Sequence, residues 1–172
     1  MEQYQLLYKV SQLMLSTTSL RRFMESTVGL IHHHYDSYGT LIALVNLDRR
    51  TIQRAFLNDH EMTKEEIAEE VPSQHYWDGL SGWAIRTRET IYSPKSIPDF
   101  RENQDSMRKR EKNECGAIIV VPILSQQVVL GTLTIVGNPQ QAAFKKHDLQ
   151  IAETMANHIA IGLQHFGLLE RT

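Results

Sequence analysis

The stretch that decides the fold is GLSGWAIRTRETIYSPKSIPDF, residues 79–100. Two glycines punctuate an apolar helical segment, and a basic turn leads from it into a short β-rich run that two prolines follow. Small-molecule sites are mostly apolar and aromatic with a few polar groups, and this part of the chain is rich in aromatic side chains. We therefore predict that the stretch forms one wall of a ligand pocket. The candidate ligand-binding aromatic residues are Trp77, just before the stretch, and Trp83, Tyr92 and Phe100 within it.

The overall composition indicates a single soluble domain. The chain has 172 residues, of which 41% are hydrophobic, and this is enough for one continuous core. A formal net charge of −2 provides no field that would hold a nucleic-acid backbone or an anionic membrane. The single cysteine excludes an intrachain disulfide, and the amphipathic start of the chain does not look like a secretory signal. We expect a cytoplasmic protein that contacts neither nucleic acid nor membrane.

Helical spacing of apolar residues predicts helices at both ends of the chain. The first covers residues 2–15 and the second residues 19–35, with the hydroxyl of Ser19 as the N-cap. The last covers residues 145–169, and its apolar residues recur every seven positions, as in a coiled-coil seam. A seam that has no partner within its own chain favours a homodimer formed through the terminal helices. The seam residues are Ala152, Ala156, Ile159, Leu163 and Phe166.

Two pairs of β-rich runs predict two antiparallel hairpins. The first pair is TLIALVNL and TIQRAFLN, residues 40–47 and 51–58, and the second is GAIIVVPIL and VVLGTLTIV, residues 116–124 and 128–136. The acidic run TKEEIAEEV, residues 63–71, predicts a short exposed helix because acids stabilise the first turn. Proline cannot donate to a β-ladder, so Pro122 is expected at a bulge or an unpaired position.

This order of elements predicts an α+β domain, with an antiparallel sheet as the core over residues 40–138 and helical layers around it. The whole chain, residues 1–172, is expected to form one domain. Residues 101–115 lack any hydrophobic period and are expected to form a long loop beside the pocket. The final helix is interpreted as a connector that has been cut before an output module.

Four motifs in this order resemble the GAF domain family, a relative of the PAS sensory fold, over essentially the whole chain. They are GLSGWAIRTRETIYSP, GAIIVVPI, VLGTLTIVG and FKKHDLQIAETMANHIAIGLQ. The resemblance implies a six-stranded antiparallel sheet with the N- and C-terminal helices on one face. On the other face it implies a ligand pocket under loops and short helices. It also implies the sensor module of a bacterial signalling protein, acting on a covalent or separate effector such as a diguanylate cyclase or a histidine kinase.

Departures from the family patterns narrow the choice of ligand. Members that bind cyclic nucleotides carry a Lys after the Asn and a Glu after the Asp, whereas here Asn138 and Asp148 are followed by Pro and Leu. Members that bind bilins attach them through a helical Cys, whereas Cys115 precedes a strand. Members that reduce free methionine sulfoxide use several cysteines in turn, and disulfide exchange needs a resolving thiol. Where many members have an Asp, this chain has Ser93 and Pro94.

Other conspicuous residues carry weaker predictions. Arg101 is a candidate for pairing with an anionic ligand, and Cys115 is a candidate contact or redox residue at the edge of the same site. His32, His33 and His34 are consecutive, and consecutive helical side chains point about 100° apart, so they do not converge on one metal ion. We predict no metal site and no catalytic residue.

Two functions stay open from the sequence. One is a regulatory domain that binds a small molecule of unknown identity and signals through dimerising terminal helices. The other is a ligand-free dimerisation and signal-coupling module whose pocket is filled by its own aromatic side chains. An enzyme or redox switch centred on Cys115 ranks below both, because one cysteine cannot complete a thiol–disulfide cycle alone.

Overall fold

The computed structural model describes residues 3–59, 64–67, 71–72, 74–94, 101–102, 104, 107–108, 116–140 and 143–170. The helices are α1 (Gln3–Ser16), α2 (Leu20–Tyr35), α3 (Gln74–Asp78), α4 (Leu80–Thr87) and α5 (Lys146–Glu170). The strands are β1 (Gly39–Asn46), β2 (Thr51–Asp59), β3 (Lys64–Ile67), β4 (Val71–Pro72), β5 (Ile91–Ser93), β6 (Ile118–Ser125) and β7 (Val128–Val136).

The strands form one antiparallel sheet in the order β3-β2-β1-β7-β6-β5, and β4 pairs with β2 beside this path. Five strands are four residues or longer, whereas β5 has three residues and β4 has two. The expected count of six strands is therefore wrong for the described residues, which form seven. The α+β class with an antiparallel sheet and helices is confirmed.

The sheet separates two apolar layers, because successive side chains of a strand point to opposite faces. Ile42, Ile119 and Leu133 lie on one face and pack with α1, α2 and α5 in the largest core cluster. We call this the helix face. Ala43 and Val120 lie on the opposite face, which α3 and α4 cover, and we call that the roof face. Both layers therefore contact the same central strands.

The two predicted hairpins and the predicted N-cap are confirmed. Ser19 is extended and its hydroxyl accepts a hydrogen bond from the amide of Arg22 at 3.2 Å. The second hairpin turns at Gln126 and Gln127, both of which have positive φ, as tight two-residue turns require. Pro122 is paired in register with Thr132, and the bulge follows it between Ile123 and Leu124.

The predicted acidic helix at residues 63–71 is wrong for every residue there that the structure describes. Residues 64–67 form β3, which pairs with β2 along its whole length, and residue 71 belongs to β4. The carboxylate of Glu66 explains the difference, because it lies 2.9 Å from both Arg54 of β2 and Arg21 of α2. Ladder hydrogen bonds and these ion pairs outweigh the local preference for a helix.

The seam of α5 packs largely within its own chain. Ala152, Ala156, Ile159 and Phe166 are buried in the core of their own chain, where Phe166 packs on Phe23 of α2 with ring centroids 5.3 Å apart. The premise that the seam has no partner within its own chain is therefore wrong for these four residues, and the homodimer stays a prediction. A seven-residue repeat marks any helix with one apolar stripe, and here that stripe faces the sheet and the other terminal helices.

Candidate functional site

The roof face is built around a tight junction between α3 and α4. Gly79 precedes α4 in extended conformation and Gly82 lies in its first turn. A Cβ added to Gly82 would lie 1.8 Å from the carbonyl oxygen of Trp77, so only glycine lets the two helices approach this closely. Arg86 closes the junction, because its guanidinium donates to the same carbonyl at 3.3 Å.

Trp77 is a core residue of this junction. Its side chain is 5% exposed and packs with Val45, Ile85 and Val129. The guanidinium of Arg50 lies 5.5 Å from the centre of its ring, which is within the range of a cation–π contact. The indole N–H is buried and has no hydrogen-bond partner among the described residues. Trp77 therefore fills the roof layer and leaves one polar group unsatisfied.

Trp83 is half-buried and belongs to a different apolar cluster. It packs against the cluster that α4 forms with β5 and β6, and the guanidinium of Arg86 lies 5.3 Å from the centre of its ring. Trp77 and Trp83 are thus both on the roof face, but they pack in neighbouring clusters. Of the two, Trp83 keeps the larger accessible surface for a ligand.

Tyr92 lies on the other side of the sheet. It pairs in register with Ile119 and packs on the helix face, where its ring is 6.4 Å from that of Phe144. The structure therefore does not bring Tyr92 together with Trp77 and Trp83. Consecutive positions on β5 explain this, because Ile91 faces α4 and the next side chain must face the terminal helices.

A buried polar contact marks the edge of the roof face beyond β5. The hydroxyl of Ser93, which is fully buried, donates to the carboxylate of Glu102, which is 6% exposed. The neighbouring Arg101 donates to the carbonyl of Tyr92 at 3.5 Å. The two other predicted ligand-binding residues, Phe100 and Cys115, lie outside the described residues, so their roles stay predictions.

Further polar groups on the roof face come from β7. The hydroxyl of Thr134, opposite Val120 in the ladder, is buried without a hydrogen-bond partner among the residues that the structure describes. Two residues along, Thr132 is 2.5 Å from the phenol of Tyr76, whose pKa is raised far above its usual range by burial. The phenol therefore stays neutral and acts only as a hydrogen-bonding group.

Sequence reasoning missed Glu102, Thr134 and Tyr76. Glu102 stands among many charged residues of the 101–115 segment, and nothing in its neighbours distinguishes a buried carboxylate from a solvated one. Thr134 lies in a predicted strand, and the alternation of side chains along β7 could have placed it on the face opposite Leu133. The pairing of Tyr76 with Thr132 joins positions 56 residues apart, which no local pattern reveals.

The described residues contain no candidate metal site, because no three His, Cys, Asp or Glu side chains cluster among them. His32 is buried and its Nδ1 lies 2.7 Å from the hydroxyl of Ser37, whereas His33 next to it is exposed.

Among the described helices, none combines the length and the apolar character that crossing a membrane requires.

A family model for the GAF domain matches residues 12–164 of the chain. The chain belongs to the GAF domain family. GAF domains are generally sensory or regulatory modules, and many belong to larger signalling proteins. The match covers all of the sheet, both tryptophans of the roof face and most of α5, so the site lies within the family's fold. No curated protein matches the sequence.

Solved GAF structures share the fold at low sequence identity. The GAF domain of an Acinetobacter phosphoenolpyruvate-protein phosphotransferase is 16% identical, covers 99% of this chain and 98% of its own, and gives a TM-score of 0.71. The free methionine-R-sulfoxide reductase from Neisseria meningitidis, solved with its substrate, is 13% identical, covers 97% and 91%, and gives 0.73. A far-red-absorbing dark state with bound biliverdin is 11% identical, covers 94% and 99%, and gives 0.70. These similarities show that the chain shares the fold of all three proteins.

Proposed function

We propose that this GAF domain is a regulatory sensor that binds a small molecule on the roof face and passes the signal to its terminal helices. The observation that supports this best is the buried Thr134 hydroxyl, which has no hydrogen-bond partner among the described residues. An unpaired buried hydroxyl costs free energy, and a ligand that accepts or donates there recovers it. Structural neighbours that hold a substrate or a chromophore support ligand binding by the fold.

The proposed ligand site borders one apolar cluster. Trp83 packs on this cluster from α4, Thr134 lies beside its Val120, and Ser93 with Glu102 lies at its far edge next to Ile118. These groups offer a ring to stack on, a hydroxyl and a carboxylate, which is the mixture that fixes the orientation of a small polar molecule. Trp77 contributes packing, and the predicted contacts of Arg101, Phe100 and Cys115 remain part of the proposal.

Signal transfer is proposed to run through the sheet. On β6, Ile119 packs on the helix face whereas Val120, the next residue, packs under α4. A ligand that shifts α4 therefore acts on a strand that also supports α5. To change the output, the ligand must bind one arrangement of the helices better than the other.

A homodimer is proposed through surfaces other than the buried seam. Tyr4, Tyr8 and Leu15 of α1 lie on one helical stripe and are 80%, 63% and 88% exposed. Ile161 of α5 is 52% exposed. Large apolar side chains at helical spacing on a terminal helix favour pairing with a second copy.

The proposed setting is a bacterial, cytoplasmic signalling protein in which the domain controls an effector such as a diguanylate cyclase or a histidine kinase. We propose a non-enzymatic role. The methionine sulfoxide reductase neighbour shows that this fold supports catalysis in another protein. Thiol–disulfide exchange needs a resolving thiol, however, and this chain has a single cysteine.

A ligand-free coupling module is the second candidate. It is supported by the packing of Trp77, which is 5% exposed, and of Tyr92, which lies in the opposite core. Both aromatic side chains are thereby used inside the fold instead of lining a cavity. In this reading the roof layer only holds the sheet rigid between the terminal helices of two copies.

Spectra of the two indole groups distinguish these candidates. The chain has two tryptophans, so their indole signals in ¹H–¹⁵N spectra are simple to follow. Three samples are compared: the protein as purified, protein that has been unfolded in urea, dialysed and refolded, and the refolded protein with the dialysed small-molecule fraction added back. If the purified protein carries a small molecule, we expect the Trp83 indole signal to move after dialysis and to return when the dialysed small-molecule fraction is added. Identical spectra in all three samples contradict the sensor and support the coupling module. Replacing Thr134 with Val is expected to remove the difference without changing the fold.

A further inference from the structure

The two central strands of the sheet separate at one end. The described pairing of β1 with β7 ends where Leu44 lies opposite Gly131. Beyond this point β1 continues to Asn46 and β7 begins at Val128, and no pairing joins these two segments. The backbone groups that face the gap are consequently free of the ladder that binds the rest of the two strands.

Two bulges and a close contact explain the separation. The register of β1 with β2 shifts directly after Leu44, and the register of β6 with β7 shifts directly after Ile123. Bulges increase the local twist of a strand and turn it away from its neighbour. At the last paired level the strands are in close contact, because a Cβ on Gly131 would lie 1.9 Å from the carbonyl oxygen of Ala43.

The gap opens into a cavity of about 850 Å³ beside the end of α5. Its lining includes Leu44, which belongs to the core of the helix face, and Val45, which belongs to the roof layer. Leu163 and Gly167 of α5 line the third side. Cavities of about 300–1,000 Å³ are typical of small-molecule sites, so the size suits a small organic molecule.

The lining has a definite chemical character. Its apolar part includes Val129 and Leu130, and its polar part consists of the amides of Asn46, Gln53 and Gln164, the hydroxyl of Ser125 and the carboxylate of Asp48. Among the lining residues that the structure describes, none is a Lys, Arg or His. The nearby Arg50 lies over the ring of Trp77 instead. Within the described part of the lining, an anionic ligand would therefore meet a carboxylate and no cation, whereas a cationic or neutral head group has hydrogen-bond acceptors.

We propose that this cleft between β1 and β7 is a second binding site, which takes an amphipathic molecule with an amine or a neutral hydrogen-bonding head and an apolar body. The site lies at the hairpin ends of the sheet, and its described lining includes none of the residues Trp83, Thr134, Ser93 and Glu102 of the first proposed site. Its occupant contacts α5 directly through Leu163, Gln164 and Gly167, so it acts on the terminal helix without passing through the sheet. Gln164 is already hydrogen-bonded to Ser125 across the cleft, and a ligand in the cleft competes for this contact.

Three probes with the same chain and different head charges test the proposal. They are n-octylammonium chloride, 1-octanol and sodium octanoate, each titrated below its micelle-forming concentration into refolded, ligand-free protein. Backbone amide signals in ¹H–¹⁵N spectra report the site. Saturable shifts at Val129, Leu163 and Gln164 are expected with octylammonium and octanol, with octanoate binding weaker than octylammonium by about tenfold, because one exposed carboxylate attracts the first and repels the second.

Matched substitutions at Gly167 test the location. An added Cβ at this position meets nothing within 4 Å, so neither variant is expected to disturb the fold. Gly167→Phe fills the cleft and is expected to abolish the saturable shifts, whereas Gly167→Ala is the control and keeps them. A second pair tests the charge preference at the rim. Asp48→Asn should bring the affinity for octylammonium down to that for octanol, and Val128→Lys, at a position that is 56% exposed, should favour octanoate.

The proposal is overturned if none of the three probes causes saturable shifts around the cleft. It is also overturned if Gly167→Phe leaves the binding intact, or if octanoate binds as strongly as octylammonium. Shifts confined to Trp83 and its neighbours would mean that the probes occupy the roof face, which contradicts the second site and leaves the sensor proposal standing. Conversely, binding in the cleft stands even if the roof face proves to be ligand-free.

Discussion

The carboxylate of Glu66 accepts a hydrogen bond from the guanidinium of Arg54 at 2.9 Å, and this contact holds the edge strand β3 on β2. Both side chains are mostly buried, at 18% and 25% exposure. The second carboxylate oxygen lies 2.9 Å from Arg21 of α2. One acidic residue thus ties an edge strand to its neighbour and to a helix.

Glu66→Gln is expected to lower the free energy of unfolding by about 1–2 kcal/mol, because it removes the charge from a mostly buried hydrogen bond. Urea denaturation followed by circular dichroism measures the change. Glu25→Gln is the matched control, since Glu25 also contacts Arg21 but at an exposed position, and no measurable change is expected. Equal effects of the two substitutions would show that Glu66 does not anchor β3.

Gly82→Ala is expected to destabilise the domain by about 2–3 kcal/mol, because the new methyl group overlaps the carbonyl of Trp77 and forces α3 and α4 apart. Thermal and urea unfolding measure the loss. Gly29→Ala in α2 is the control, since its added Cβ meets only the side chain of Asn58 at 3.8 Å. That substitution should stabilise the domain by about 0.5–1 kcal/mol through helix propensity. A neutral effect of Gly82→Ala would disprove the tight junction.

Ser93→Ala is expected to cost about 1.5–3 kcal/mol, because it removes a donor from the buried carboxylate of Glu102. Glu102→Gln should cost less, because an amide needs less solvation than a charge. Ser26→Ala, at an exposed helical position, is the control and should cost nothing. The free energies of unfolding of the three variants are compared at neutral pH. Similar values for Ser93→Ala and Ser26→Ala would show that the contact does not form in solution.

Stability is expected to fall in mild acid because of His32. Burial lowers the pKa of His32 below its usual value, against the opposing effect of the Asp59 and Asp36 carboxylates. The unfolded chain then binds the proton more readily, so the contribution of His32 is complete above about pH 6.5. This contribution is lost progressively as the pH falls from that value to the lower pKa of His32 in the folded state. The midpoint of urea unfolding, measured from pH 7.5 to pH 5, should decrease accordingly.

His32→Gln should reduce this pH dependence, and His33→Gln, the exposed neighbour on the same helix, is the control. Both variants lose one histidine, so the difference between them isolates the buried ring. An unchanged pH profile in His32→Gln would contradict the assignment. A profile that flattens equally in both variants would contradict it as well.

The elements that depend on a few neighbouring residues could be predicted from the sequence. The hairpin turns and the N-cap at Ser19 were predictable because each depends on a few adjacent residues. The seven-residue repeat of α5 was also read correctly as an apolar stripe. The surface that this stripe packs against was not predicted, because an apolar stripe can pack on a second copy or on the chain's own core. Phe166 packs on Phe23 of the same chain.

Contacts between distant positions limited the prediction of the site. β3 was predicted as a helix because the hydrogen bonds that fix it come from β2 and from two arginines elsewhere in the chain. Tyr92 was grouped with Trp77 and Trp83 by sequence proximity, although the alternation of β5 directs it to the opposite face. The carboxylate of Glu102 reaches Ser93 from nine positions away in the chain, a contact that no local pattern reveals.

Native mass spectrometry of the protein as purified, followed by denaturing analysis of whatever is released, tests the central claim most directly. We expect dimers that carry the added mass of a small molecule. This molecule leaves on denaturation, and its released mass reveals its chemical class. Thr134→Val is expected to lose that mass while remaining dimeric. Protein that carries no added mass in any preparation would contradict the sensor and leave the ligand-free coupling module in its place.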